Sequence, residues 1–172
     1  MKTAIQLVLI YFGFLQILAP MLMVVPCIIY LLATTGAVDK DSLMQMIIIP
    51  AQMTGILLMV IYLWKAGYIS KEKTTWSAVS PSYLGLSVVS LLPCSWLVST
   101  LISHMEWLPN IMEQTFDILQ SGWGGILAIA VAGPVLEELL FRGAITKALL
   151  KQYDPAKAIL ISAFIFGIFH IN

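Results

Sequence analysis

Two adjacent glutamates, an arginine and a histidine stand inside stretches of sequence that are otherwise apolar. Glu137, Glu138 and Arg142 share one apolar run, and His170 follows Phe166 by four residues in the next. A charged side chain at the centre of a membrane helix costs roughly 2.5 to 3.5 kcal/mol on insertion scales, so such residues usually mark function. A carboxylate and an imidazole together can activate a water molecule, relay protons or hold a metal ion.

The distances of these residues from the charged turn between their runs place them at one depth. Glu138 lies thirteen residues before Lys151, and His170 lies thirteen residues after Lys157. At about 1.5 Å per helical residue, each lies roughly 20 Å from the flanking ammonium group. Two antiparallel helices would therefore bring them level, and the pattern predicts one polar cluster near the middle of the bilayer.

The spacing also predicts how the members of this cluster pair. Glu138 precedes Arg142 by four residues, the favourable order for a helical ion pair, and we expect this pair to be structural. Glu137, rotated about 100° from Glu138, is left unpaired and buried, and is the candidate base. A lone histidine is as often a core residue as a functional one, but the matching depth favours a functional role for His170. Phe166, one turn earlier, is expected to pack against the imidazole.

Composition defines the class of protein that must position the cluster. The 172 residues are 60% hydrophobic and 10% charged, and the mean hydropathy is +0.94. A soluble domain of this size could not bury that much apolar surface, so we predict an all-α, polytopic transmembrane helix bundle. Nine Lys+Arg balance nine Asp+Glu, which excludes the basic surface of a nucleic-acid-binding protein.

Four apolar runs are long enough to span a membrane, which takes about 20 residues, and a fifth is incomplete. The runs cover residues 5–33, 43–64, 83–103 and 124–140, and the fifth begins at Pro155. Asp154 is the expected N-cap of the fifth helix, and Pro134 is expected to distort the fourth beside Glu137. We divide the chain into residues 1–121, with three spans and an outer loop, and residues 122–172, which carry the cluster.

The charges of the loops predict the orientation, because short loops rich in Lys and Arg stay in the cytoplasm. Lysines concentrate in the loops after the second and fourth spans: Lys65, Lys71, Lys73, Lys147, Lys151 and Lys157. The loop at residues 104–123 has no Lys or Arg and carries acids, Glu106 among them. We predict a multi-pass protein of the cytoplasmic membrane with its N-terminus inside, and His104 then lies on the outer side, away from the cluster.

The polar residues form the pattern EExxxRG in one span and FxxxH in the next, and the members are Glu137, Glu138, Arg142, Gly143, Phe166 and His170. This pattern resembles the CPBP family of intramembrane proteases, also called the CAAX-protease and bacteriocin-processing, or Abi, family. The resemblance covers about residues 122–172 and is only topological before them. It implies hydrolysis of peptide bonds in membrane-associated, prenylated or bacteriocin-type peptides.

The resemblance also implies roles for the residues. Glu137 would activate the attacking water, His170 would be its second contact, and Glu138, Arg142 and Phe166 would support the site. The family also uses a second His followed four residues later by Asn or Asp, and this chain has no such motif. Family members are often called metalloproteases, but Glu137 and His170 are two ligands where a catalytic zinc usually takes three. We expect either no cofactor or a divalent metal such as zinc on this pair, and favour a glutamate-dependent mechanism without metal.

The fifth span holds 18 residues and the chain stops two residues after His170. We therefore expect these residues to be the N-terminal portion of a longer protease that is inactive without the rest. Asn172 lies too close to His170 to replace the third motif.

Two other functions stay open. A non-catalytic immunity or scaffold relative would explain the missing third motif. A proton-coupled carrier would use the same Glu and His as a proton relay, although the paired broken repeats of transporters are not visible. The expected partners are membrane lipid and a peptide substrate.

Overall fold

The computed structural model describes residues 1–69, 80–104 and 112–170, and every regular element in these ranges is helical. The helices are α1 (Lys2–Thr35), α2 (Lys40–Lys65), α3 (Pro81–Ser103), α4 (Glu113–Gln120), α5 (Trp123–Leu150) and α6 (Pro155–Phe169). Within the described ranges, α1, α2, α3 and α5 are long and apolar enough to cross a membrane, and α6 is apolar but shorter. The predicted all-α fold with four helices long enough to span a membrane is confirmed for the described residues; that the fifth span is incomplete stays a prediction.

The chain packs as two units, one made of Met1–Ile69 with Met112–Ile171, and the other of Ser70–Ile111. The described helix of the second unit is α3. Hydroxyl groups of Ser87 and Thr100 bond carbonyl oxygens four residues earlier in this helix. His104 lies just beyond its end, with Nδ1 2.7 Å from the Thr100 carbonyl oxygen.

The core of the first unit lies where α1, α2, α5 and α6 meet. Its fully buried large side chains are Leu7, Met59, Leu63, Leu136, Leu140, Ile145 and Leu149. α1 and α2 approach closely at Gly55, where a Cβ atom would lie 3.0 Å from the Cα of Leu15 and 3.4 Å from the Cβ of Ala19. Small residues permit this close contact between membrane helices.

Three wide, π-helical turns interrupt α1 and α5, at Gly13–Leu18, Ala128–Ala132 and Glu138–Ile145. At the end of each, an amide bonds the carbonyl five residues back: Ala19 to Phe14, Gly133 to Ala128 and Thr146 to Phe141. The first two turns end just before Pro20 and Pro134, whose missing N–H groups interrupt the usual ladder. The distortion expected from Pro134 therefore takes the form of a wide turn.

The fourth span extends beyond its predicted end at residue 140, because α5 continues to Leu150. Arg142 and Lys147 end the apolar run, but long charged side chains do not stop helical hydrogen bonding. Lys147 consequently lies on the helix and not in the following loop. The apolar pattern also did not predict the short helix α4, which lies within the predicted outer loop.

N-cap side chains begin three of the described helices, and at the start of α3 the Ser80 hydroxyl oxygen accepts the Tyr83 amide at 3.2 Å. Asp154 Oδ1 accepts the Lys157 amide at 3.1 Å, with Pro155 in the first turn, as predicted. Asp39 Oδ1 accepts the Ser42 amide at 2.9 Å at the start of α2. Of the loop residues used to predict the orientation, Lys71, Lys73 and Glu106 lie outside the described residues, as does Asn172. The orientation and the division at residue 121 stay predictions.

Candidate active site

The short turn between α5 and α6 brings Glu137 and His170 together. Nε2 of His170 lies 3.6 Å from Oε1 of Glu137. This approach agrees with the equal depths of the two runs. The Glu137 side chain keeps 28% of its surface exposed and the His170 side chain 47%. Glu137 is thus only partly buried within the bundle, and it faces His170 and not Arg142, as expected. The histidine arrives from the end of α6, and neither side chain is fully enclosed by the helices.

A backbone contact determines which nitrogen of the His170 ring faces the glutamate as an acceptor. Nδ1 lies 2.9 Å from the carbonyl oxygen of Phe166, and a carbonyl only accepts, so Nδ1 carries the proton. In the neutral ring, Nε2 then presents its lone pair toward Glu137. A separation of 3.6 Å is too long for a direct hydrogen bond, but a water molecule can donate to both groups. The pair therefore offers two proton acceptors to one small polar ligand.

Aromatic packing restricts the imidazole. The ring of Phe166 stacks on His170 with centroids 4.1 Å apart and an interplanar angle of 29°. Phe141 of α5 meets Phe166 edge to face at 5.0 Å. The contact between Phe166 and His170 that the one-turn spacing predicts is thus present.

The first helix also contributes to the wall of the site, which the sequence pattern did not predict. Phe169, next to His170, makes edge contacts with Tyr11 at 5.9 Å and Phe12 at 5.7 Å. A contact between residues so distant in sequence has no signature in local spacing, and the only signal for it is the adjacent aromatic pair in an apolar run.

Glu138 and Arg142 pair with each other and not with His170. Nε of Arg142 lies 3.3 Å from Oε2 of Glu138, and the side chains are 81% and 60% exposed, respectively. This is the predicted ion pair. Such an exposed pair adds little stability in water, so its effect is to neutralise the arginine beside the site.

A buried hydroxyl cluster joins the two helices that carry the site. The Thr146 hydroxyl donates to the carbonyl oxygen of Phe141 at 2.8 Å, and its oxygen lies 3.0 Å from the hydroxyl oxygen of Ser162. Ser162, on α6, is only 6% exposed. Because the wide turn already directs the Thr146 amide to the same carbonyl, this cluster anchors α6 to a fixed point on α5.

The donor set at Glu137 and His170 is small for a metal ion. Within the described ranges, no group of three or more His, Cys, Asp and Glu side chains could hold one. A catalytic zinc usually has three protein ligands and an open position, and two ligands do not meet this requirement. We therefore derive the chemistry from the side chains alone.

The fold and site define a polytopic membrane protein with a Glu–His pair between its last two described helices. Residues 119–172 match the family model described as Type II CAAX prenyl endopeptidase Rce1-like. This stretch contains α5, α6 and both motifs, so the resemblance to a CPBP protease is confirmed for it. No curated protein and no solved structure matches the chain.

Proposed function

We propose that this protein is an intramembrane endopeptidase in which Glu137 activates a water molecule. The observation that supports the proposal is the 3.6 Å approach of Glu137 to His170 within the stretch that matches a prenyl endopeptidase family. The substrates are peptides held at the membrane, with prenylated CAAX-type peptides first among them and bacteriocin-type peptides second.

The two acceptors, one on Glu137 and one on His170, can each accept one proton of the same water molecule. Oε1 of Glu137 accepts one proton and Nε2 of His170 holds the other in a hydrogen bond, which aims the water oxygen at the peptide carbonyl carbon. As the carbon–oxygen bond forms, Glu137 takes the first proton. It then gives this proton to the peptide nitrogen as the carbon–nitrogen bond breaks, and the carboxylate is restored.

The negative charge on the carbonyl oxygen must be stabilised by hydrogen-bond donors in this mechanism. Glu137 and the neutral His170 ring face the water as acceptors, so they do not supply these donors. The partial exposure of both groups supports a hydrated site that a peptide can enter. The proposed location is the cytoplasmic membrane, with the N-terminus inside.

Vesicles of native membrane provide the test. Vesicles from cells with the chromosomal wild-type gene, a deletion and Glu137→Gln are incubated with a farnesylated CAAX peptide and with a bacteriocin precursor peptide, and the products are identified by mass spectrometry. Glu137→Gln should reduce cleavage to the level of the deletion. Glu113→Gln, which changes an exposed glutamate on α4, should not. Wild-type cleavage by Glu137→Gln would contradict the proposal.

The alternative that the sequence pattern leaves open is a non-catalytic immunity or scaffold protein that carries the same Glu and His. Cells carrying Glu137→Ala with His170→Ala distinguish the two. Full protection against a bacteriocin in this double variant would select the non-catalytic function, whereas loss of protection together with loss of cleavage supports the peptidase.

A further inference from the structure

A second polar site lies at the end of the first unit where α1 begins and where α2 and α5 end. It is a cavity of about 380 Å³, within the roughly 300 to 1,000 Å³ of small-molecule pockets. The start of α1 contributes Thr3, the segment after α2 contributes Gly67 and Tyr68, and the end of α5 contributes Lys147 and Lys151. One terminus of each of three spans therefore lies at this polar cavity.

The charged side chains that line this cavity are all positive among the described residues. Its described lining includes the two lysines and no carboxylate. Lys147 and Lys151 stand four residues apart, where two like charges on a helix repel each other. An anion bound between the ammonium groups would offset this repulsion.

Neutral donors complete the lining. Thr3 and Tyr68 bring hydroxyl groups, and Gln152 brings an amide. The Gln152 oxygen accepts a hydrogen bond from the backbone nitrogen of Met1 at 2.9 Å, so the NH₂ group of this amide remains as a donor. Ammonium, hydroxyl and amide groups together match the oxygens of a phosphate.

A turn after α2 positions Tyr68. Gly67 has a positive φ of 77°, a conformation that favours glycine, and its amide bonds the Trp64 carbonyl while the Tyr68 amide bonds the Leu63 carbonyl. This pair of bonds is the Schellman arrangement, which ends a helix and fixes the residue that follows. The turn therefore fixes the position of Tyr68 in the wall of the cavity.

We infer that this cavity binds the phosphate headgroup of an anionic membrane lipid. Its position at the ends of three apolar helices is where lipid phosphates lie. Lys147 and Lys151 stand at the end of α5 that is predicted to be cytoplasmic, where basic pockets between helices bind anionic headgroups. This site is separate from the Glu137–His170 pair, and the inference does not depend on the proposed peptidase activity.

The test compares lipid retention by the full chain in nanodiscs, measured by native mass spectrometry after gentle release. The discs contain phosphatidylcholine alone or phosphatidylcholine with a minor fraction of phosphatidylglycerol. Wild-type protein should retain phosphatidylglycerol, and Lys147→Gln with Lys151→Gln should lower this retention about tenfold or more. Lys157→Gln removes a lysine that lies over the Tyr153 ring and outside the cavity lining, and it should retain the lipid as wild type does.

A steric variant tests the cavity at constant charge. Ala148 also lines it, and Ala148→Leu should lower retention while both lysines remain, so the inference can still be tested if the double lysine variant fails to fold. Equal retention by wild type, the double variant and Ala148→Leu would overturn the inference.

An arm with inorganic phosphate in phosphatidylcholine discs distinguishes the source of the anion. If the protein retained inorganic phosphate as strongly as it retains phosphatidylglycerol, the ligand would be a free anion, and the lipid assignment would be wrong.

Discussion

The hydroxyl oxygens of Thr146 and Ser162 lie 3.0 Å apart, and this contact connects the helix that carries Glu137 to the helix that carries His170. Hydrogen bonds between membrane helices contribute about 0.6 kcal/mol on average. Ser162→Ala should therefore lower the free energy of unfolding by about 0.5 to 1.5 kcal/mol. A double-mutant cycle with Thr146→Val, measured by unfolding in detergent micelles, should give a coupling energy near 0.6 kcal/mol.

The control for this cycle is Ser87→Ala, because the Ser87 hydroxyl is exposed and bonds only within α3 to the Tyr83 carbonyl. Its effect should be smaller than that of Ser162→Ala. Strictly additive effects of Ser162→Ala and Thr146→Val would show that the hydroxyl contact does not hold the helices together.

The features predicted correctly from the sequence are local ones. The four-residue spacing of Glu138 and Arg142 and the N-cap at Asp154 depend only on helical geometry, which residue types reveal directly. The approach of Glu137 to His170 was predictable for a related reason, since a short turn forces two neighbouring spans to lie side by side.

What the sequence pattern missed depends on hydrogen-bond register and on contacts between distant segments. Hydropathy does not report the change from four-residue to five-residue bonds at Glu138–Ile145, because it describes the side chains and not the register of the backbone hydrogen bonds. It also cannot show that Tyr11 reaches Phe169, which follows from how α1 packs. The extra ten residues of α5 were missed because a charged side chain ends an apolar run without ending a helix.

Gly55 should tolerate no side chain. A Cβ atom there would lie 3.0 Å from the Cα of Leu15, so α1 would have to move away from α2. Gly55→Ala gains up to about 1 kcal/mol in helix propensity, but overpacking typically costs about 1 to 3 kcal/mol. We expect a lower melting temperature in micelles, and a larger decrease for Gly55→Val. Gly85→Ala is the control, because open space surrounds Gly85, and it should be neutral or stabilising. Equal effects at both glycines would refute the close contact.

Asp39 should make the stability of α2 depend on pH. Hydrogen bonds from the side chain and the amide of Ser42 hold the pKa of the Asp39 carboxyl below its ordinary value of 3.8. Because the folded-state pKa is the lower one, this stabilisation is complete above the ordinary value and is lost as the pH falls through the folded-state value. Asp39→Ala should therefore lower the melting temperature at about pH 7 and have a smaller effect at about pH 2.

Asp39→Asn keeps a good N-cap without a titrating group, so its melting temperature relative to Asp39→Ala should not change with pH. An undiminished effect of Asp39→Ala at low pH would rule out this linkage.

Phe166 should control catalysis through the orientation of His170. The two rings stack at 4.1 Å, and an aromatic contact of this kind contributes about 0.5 to 1.5 kcal/mol. If the imidazole must be held to orient water, Phe166→Leu should lower kcat by up to about tenfold and leave KM for the farnesylated peptide nearly unchanged. Phe164→Leu is the matched control, since Phe164 lies on the same helix with 71% of its surface exposed. Wild-type kcat in Phe166→Leu would show that the stacked ring only fills space, whereas a loss of kcat without a change in melting temperature identifies it as a positioning residue.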